Sequence, residues 1–215
     1  MKKRFVLATL TAATAAVLFS TSEFIIEGQM LEKVEKEYGF FAKNRALALV
    51  GMMNKAQGRD EHEKLEAVND FFNKTPYGLD KDVWGVSDYW ATRLEFIGKD
   101  KGDCEDYVIA KYFTLLELGI DPKKLFMGYV KYVPLNIAHM VLLYYETPRS
   151  EPLVLDNYNR KIFPASTRKD LIPVYSFSGS SLLDAKNVQL GKLLPASTRQ
   201  KRAWDELKII KKDQP

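Results

Sequence analysis

The sequence predicts an α+β fold in which N-terminal helices and one central helix pack on an antiparallel β-sheet. Three observations point there. Apolar residues recur at helical spacing from Phe24 to Leu116. From Leu125 the period changes to two, in runs rich in Val, Leu and Tyr. The connections between those later runs are short, which favours antiparallel neighbours. A chain of 215 residues suffices for one domain with a substantial core, and 46% hydrophobic against 28% charged residues argues against a disordered chain.

Residues 1–22 read as a signal peptide. Met1 to Arg4 form a basic start, residues 5–19 are an apolar stretch, and Ser20 and Ser22 offer small residues for cleavage. The stretch falls short of the ~20 residues a membrane-spanning helix needs. The expected mature protein is residues 23–215, one domain secreted to the periplasm. Of the formal charge of +4, three units sit on Lys2, Lys3 and Arg4, which leaves +1 on the remainder. That removes the electrostatic basis for a nucleic-acid partner.

Residues 24–38, 42–57 and 60–74 carry the N-terminal helices, with Gly58 ending the second and Thr75-Pro76-Tyr77-Gly78 the third. Residues 79–102, rich in Asp, Gly and Trp, read as a long functional loop with one short helical turn. The central helix starts after Asp103, its N-cap, and carries Val108, Ile109, Tyr112, Phe113, Leu115 and Leu116 until Gly119 and Asp121-Pro122 stop it. Strands follow at 125–133, 139–145 and 153–158, with an edge strand at 174–177. Residues 198–211 read as an amphipathic final helix. The pentapeptide Pro-Ala-Ser-Thr-Arg occurs at 164–168 and again at 195–199; a reused turn sequence accounts for it.

The chain has one cysteine, so it forms no internal disulfide. An exported protein usually pairs or avoids its cysteines, and whether this thiol is inert and buried or reactive is decided by its neighbours. Cys104 stands in the first turn of the central helix, where unpaired N–H groups and the macrodipole favour a thiolate nucleophile. Its own amide is placed to donate to an oxyanion. Trp84, Tyr89 and Trp90 lie in the segment from which a second donor would come, although aromatic loop residues more often serve packing. Pairing Tyr144 with Glu151 sets His139 beside Asp156, an imidazole held by a carboxylate. Taken singly, these are a buried cysteine, a core histidine and a strand-end aspartate. Together they make a Cys104–His139–Asp156 triad. The other histidine, His62, sits among Asp60, Glu61, Glu63 and Lys64 on a solvated helix face and is the poorer base.

Asp103, Glu105 and Asp106 surround the nucleophile with charge that disfavours a thiolate. Ca2+ would neutralise them, with Asp82 and Asp88 of the preceding loop as further donors. The alternative is a set of helix N-terminal acids stabilised by the dipole.

The blocks Asp88-Tyr89-Trp90-Ala91-Thr92, Gly102-Asp103-Cys104-Glu105-Asp106-Tyr107, Ala110-Lys111-Tyr112-Phe113, Ala138-His139-Met140-Val141-Leu142 and Val154-Leu155-Asp156-Asn157 resemble the bacterial transglutaminase-like cysteine proteinases. The resemblance implies a papain/transglutaminase-like fold and a thiol protease whose triad falls on Cys104, His139 and Asp156. It implies calcium ligands at Asp103 and Glu105. It further implies, as substrate, the N-terminal region of a large repeat-containing surface adhesin, cut next to a pair of alanines. The implied regulator is an inner-membrane cyclic di-GMP receptor that sequesters the protease. A transglutaminase or other acyltransferase with the same triad, and an inactive binding module, are the competing readings.

Overall fold

The computed structural model describes residues 23–178. The expected signal peptide, the final helix and the second Pro-Ala-Ser-Thr-Arg copy lie outside the described residues. Six helices come first: α1 (Gly28–Tyr38), α2 (Phe40–Ala56), α3 (Glu61–Phe72), α4 (Asp80–Val83), α5 (Arg93–Lys99) and α6 (Cys104–Glu117). Five strands follow: β1 (Leu125–Tyr132), β2 (Ile137–Tyr144), β3 (Leu153–Leu155), β4 (Phe163–Pro164) and β5 (Leu171–Ser178). They form one antiparallel sheet in the order β4-β3-β2-β1-β5. No helix among the described residues is long and apolar enough to cross a membrane.

Residues 79–102 hold more helix than expected. Thr92 and Glu95 form a capping box, each side chain bonding the other's backbone N–H, and so start α5. Arg45 of α2 closes its other end by donating to the carbonyls of Ile97 and Gly98. The approach between elements is close: a Cβ on Gly98 would stand 2.7 Å from the Tyr38 ring. α6 is the buried axis of the domain, with Tyr107, Val108, Ile109, Ala110, Tyr112 and Leu115 all sealed from solvent. Gly119 (φ 86°) turns the chain out of it in the left-handed region.

α6 packs on the sheet face that carries Met140, Leu142 and Tyr144, while Val141 and Leu143 join Phe126, Val130 and Val154 in a smaller cluster on the other face. The β2–β3 register differs from the expected one by two residues: Tyr144 pairs with Leu153, not Glu151, and β3 ends at Leu155. The turn is longer than expected because residues 147–150 close on themselves through Thr147 and Ser150. A shift of two keeps every side chain on its face, whereas a shift of one would have reversed them. The edge strand β5 is also longer than 174–177, and β2 starts at Ile137 rather than His139.

Candidate active site

Cys104 is the first residue of α6, after Asp103, whose side chain makes no capping bond. Gly102 lets the turn form: a Cβ there would meet Asp106 Oδ2 at 2.4 Å and the Phe96 ring at 2.7 Å. The thiol is partly buried and lies against the backbone N–H of Met140, the residue after His139. It does not hydrogen-bond to His139. It donates instead to Glu105 Oε2 at 3.0 Å. Burial raises its pKa well above the usual range, and the charges of Glu105 and Asp103 push the same way; the Met140 N–H offsets part of this. The helix N-terminus therefore does not by itself deliver the thiolate expected from its position.

His139 and Asp156 are in contact, both almost wholly buried, with Nε2 of the ring 2.8 Å from Asp156 Oδ1. Nδ1 is buried and has no hydrogen-bond partner among the described residues. It is the ring nitrogen left for chemistry. Because of the register, the contact is a diagonal one: Asp156 lies just beyond β3, and its Oδ1 also accepts from the Tyr158 backbone N–H. Asp156 Oδ2 accepts from Arg168 at 2.6 Å. Burial alone would raise this carboxyl, but His139, Arg168 and the Tyr158 N–H outweigh it and hold it at about 2. His62 is exposed, against the edge of Tyr144.

Five carboxylates converge beside Cys104. Oxygens of Asp80, Asp103 and Asp106 lie within 4.8 Å of one another, as do those of Asp80, Asp88 and Glu105. Asp80 Oδ1, Asp103 Oδ1 and Asp106 Oδ2 are buried without hydrogen-bond partners. Burial and the neighbouring Glu105 charge raise Asp103 to about 10, burial with Glu105 and Asp88 raises Asp80 to about 6, and burial raises Asp106 well above its usual range. Orphaned, mutually repelling oxygens suit a hard divalent cation. Asp82, by contrast, is exposed on α4 and outside both groups. Asp80, two residues earlier, takes the place expected for it. Both residues sit in Asp80-Lys81-Asp82, and only the phase of a four-residue helix decides which points inward.

The aromatic loop residues are engaged in packing. Trp84 lies between Tyr89 (4.3 Å between centroids) and Lys99 (5.0 Å), and Trp90 is in the core. Arg168, Tyr158 and Lys111 were not expected at the site. Lys111, about two turns into α6, donates to Asn69, Asn73 and the Asp156 carbonyl, all buried. An isolated Lys in an apolar helix was the available signal.

No curated protein sequence matches the chain. The family model of the bacterial transglutaminase-like cysteine proteinases (BTLCP) matches residues 44–170. Calcium-bound LapG of Legionella pneumophila is similar at 38% identity and a TM-score of 0.70, covering 86% of this chain and 99% of that one. EGTA-treated LapG of the same organism is similar at 38% identity and a TM-score of 0.70, covering 85% and 96%. A third LapG structure gives 36% identity and a TM-score of 0.68, covering 86% and 98%. A cysteine at the head of the buried helix, a histidine–aspartate pair on the sheet and a match spanning all three place this chain among the bacterial transglutaminase-like cysteine proteinases.

Proposed function

We propose that the protein is a calcium-dependent endopeptidase of the periplasm that cuts the N-terminal region of a large repeat-containing surface adhesin beside a pair of alanines. Cleavage releases the adhesin and disperses the biofilm, and an inner-membrane cyclic di-GMP receptor holds the protease back by sequestering it. The supporting observation is the buried His139–Asp156 pair, whose unpartnered Nδ1 belongs to the residue next to the one that Cys104 touches. The similarity to LapG in calcium-bound and EGTA-treated forms supports the calcium reading.

Cys104, His139 and Asp156 carry the chemistry. The thiol turns from Glu105 to His139 Nδ1, which takes its proton while Asp156 stabilises the imidazolium. Sulfur attacks the scissile carbonyl, and the Cys104 amide at the helix start donates to the oxyanion. The imidazolium then protonates the leaving amine. Water, deprotonated by the same imidazole, hydrolyses the thioester and regenerates the thiol. Asp80, Asp88, Asp103, Glu105 and Asp106 would hold the calcium. Bound there, it supplies positive charge that offsets the carboxylates flanking the thiol.

The test incubates residues 23–215 with a purified N-terminal adhesin fragment, with calcium or with EGTA. Cleavage is expected with calcium, and loss of cleavage for Cys104→Ala. A Cys104→Ala protein that still cuts removes the protease mechanism, and EGTA that changes neither cleavage nor melting temperature removes the calcium site.

A further inference from the structure

The repeated pentapeptide has a use at its first copy. Pro164 ends β4, and Ala165–Thr167 form a single 3-10 turn whose start is pinned to the opposite chain: the Ala165 N–H donates to the Pro152 carbonyl and the Ser166 N–H to Glu151. Thr167 Oγ1 closes the turn on the Pro164 carbonyl at 2.7 Å. The effect is to deliver Arg168 inward. Its side chain is almost wholly buried, and Nη2 donates to Asp156 Oδ2 at 2.6 Å, the oxygen that His139 leaves free. Asp170 grips the same guanidinium at two points, accepting from Nε at 2.9 Å and from Nη2 at 2.7 Å. The Asp170 carbonyl in turn accepts from Val133, after β1, which ties this loop to the sheet.

We propose that Arg168, oriented by Asp170, is a positioning residue of the His139–Asp156 pair; this rests on the triad reading above. The reasoning is electrostatic and geometric. His139 and the Tyr158 N–H both hold Asp156 through Oδ1, and a buried carboxylate with its second oxygen unpartnered tends to neutralise. A guanidinium on the second oxygen fixes the carboxylate plane and keeps it ionised. A lone cation at that point would also weaken the field that Asp156 exerts on His139. Asp170 balances its charge, so the Arg168–Asp170 pair is neutral overall and holds Asp156 without opposing the imidazolium.

Nuclear magnetic resonance on 15N-histidine-labelled protein reads the pair without substrate, and cleavage kinetics read its consequence. The chain has two histidines, so His139→Gln identifies the His139 signals. Wild type is expected to show His139 protonated at Nε2 with a slowly exchanging, downfield proton. Arg168→Gln is expected to lose that proton signal and to lower kcat on the adhesin fragment about tenfold or more, with KM changed less than about twofold. Arg168→Lys should recover part of both, since charge returns without the fork. An Arg168→Gln protein that keeps the Nε2 proton signal and has kcat within about twofold of wild type overturns the proposal. If that variant does not fold, Asp170→Asn is read by the same two measures, and no change in either overturns it. The triad reading fails separately, if His139→Gln cleaves as well as wild type.

Discussion

The ring of Tyr158 lies flat against the imidazole of His139, with centroids 4.4 Å apart and planes 9° from parallel. The chain leaves the β2–β3 ladder after Leu155 and bends, and the Tyr158 N–H donates to Asp156 Oδ1, which holds Tyr158 beside the imidazole. An aromatic face attracts a cation more than a neutral ring, so the stack favours the imidazolium formed during proton transfer, by ~0.5–2 kcal/mol. Tyr158→Leu should therefore lower kcat about three- to tenfold. Tyr158→Phe keeps the face, loses only the hydroxyl bonded to Tyr77, and should stay within about twofold. Equal losses in the two variants, measured by steady-state cleavage of the adhesin fragment, would remove the stack from the mechanism.

Asp156 links the same pair to acid stability. Its carboxyl sits at about 2 in the folded protein, below the usual value of 3.8. A depressed carboxyl contributes stability that is present above pH ~4 and is lost as pH falls toward 2. Asp156 is almost wholly buried, so solvent screens little of this, and the shift corresponds to about 2–3 kcal/mol. Asp156→Asn should be less stable than wild type by about that amount at pH 7, with the gap closing between pH 4 and 2. Urea titrations across that range check it; a gap independent of pH would contradict the assignment.

Lys111 makes the opposite contribution. Burial lowers its ammonium to about 7, although Asp156 pulls it upward. Above pH 7 the unfolded chain still binds a proton there that the folded protein has released, so stability rises with pH toward ~10.4. The rise is at most about 1.4 kcal/mol per pH unit. Above about 8.5 to 10, Cys104 and the buried tyrosines, whose pKa values are raised, pull the other way. Between about pH 7 and 8.5 the raised carboxyls of Asp103 and Asp106 also pull the other way, in both proteins alike, so the difference in slope reports Lys111. Lys111→Met should have a less positive slope than wild type in that window, and equal slopes for both proteins would show that Lys111 stays charged.

The order of elements was legible because α6 and β1 to β3 differ in period, and local periodicity needs no tertiary information. The site was legible in part. The lone cysteine, the second histidine and Asp156 stood out as residue types. Their contact was expected through a register two residues away from the real one, and it survived because a shift of two preserves facing. α5 was legible in principle, since Thr92 and Glu95 have capping-box spacing, but the Asp- and Gly-rich surroundings masked it. The choice of Asp80 over Asp82 depends on the phase of a four-residue helix, and the reach of Arg168 to Asp156 on a turn pinned by Glu151 and Pro152. Those are tertiary facts that no local pattern carries.

Asp80 and Asp82 supply the sharpest test of the carboxylate cluster, because charge removal at the first should act with opposite signs in two conditions. In EGTA, Asp80 is a buried carboxylate raised to about 6 by burial and by the charges of Glu105 and Asp88. A carboxyl raised on folding costs stability once pH exceeds its unfolded value, and the cost at pH 7 is on the order of 2–3 kcal/mol. Asp80→Asn removes that charge, and its amide oxygen can still accept from the Tyr89 N–H. The variant should melt higher than wild type in EGTA. With calcium present it should gain less than wild type, having lost a ligand that lies in both oxygen groups. Asp82→Asn, exposed and outside the cluster, should stay within about 0.5 kcal/mol of wild type in both conditions. Thermal melts of the three proteins decide the matter. An Asp80→Asn protein that melts lower in EGTA would remove the charge repulsion, and an Asp80→Asn protein with the full calcium shift, or an Asp82→Asn protein that loses it, would place the cation elsewhere.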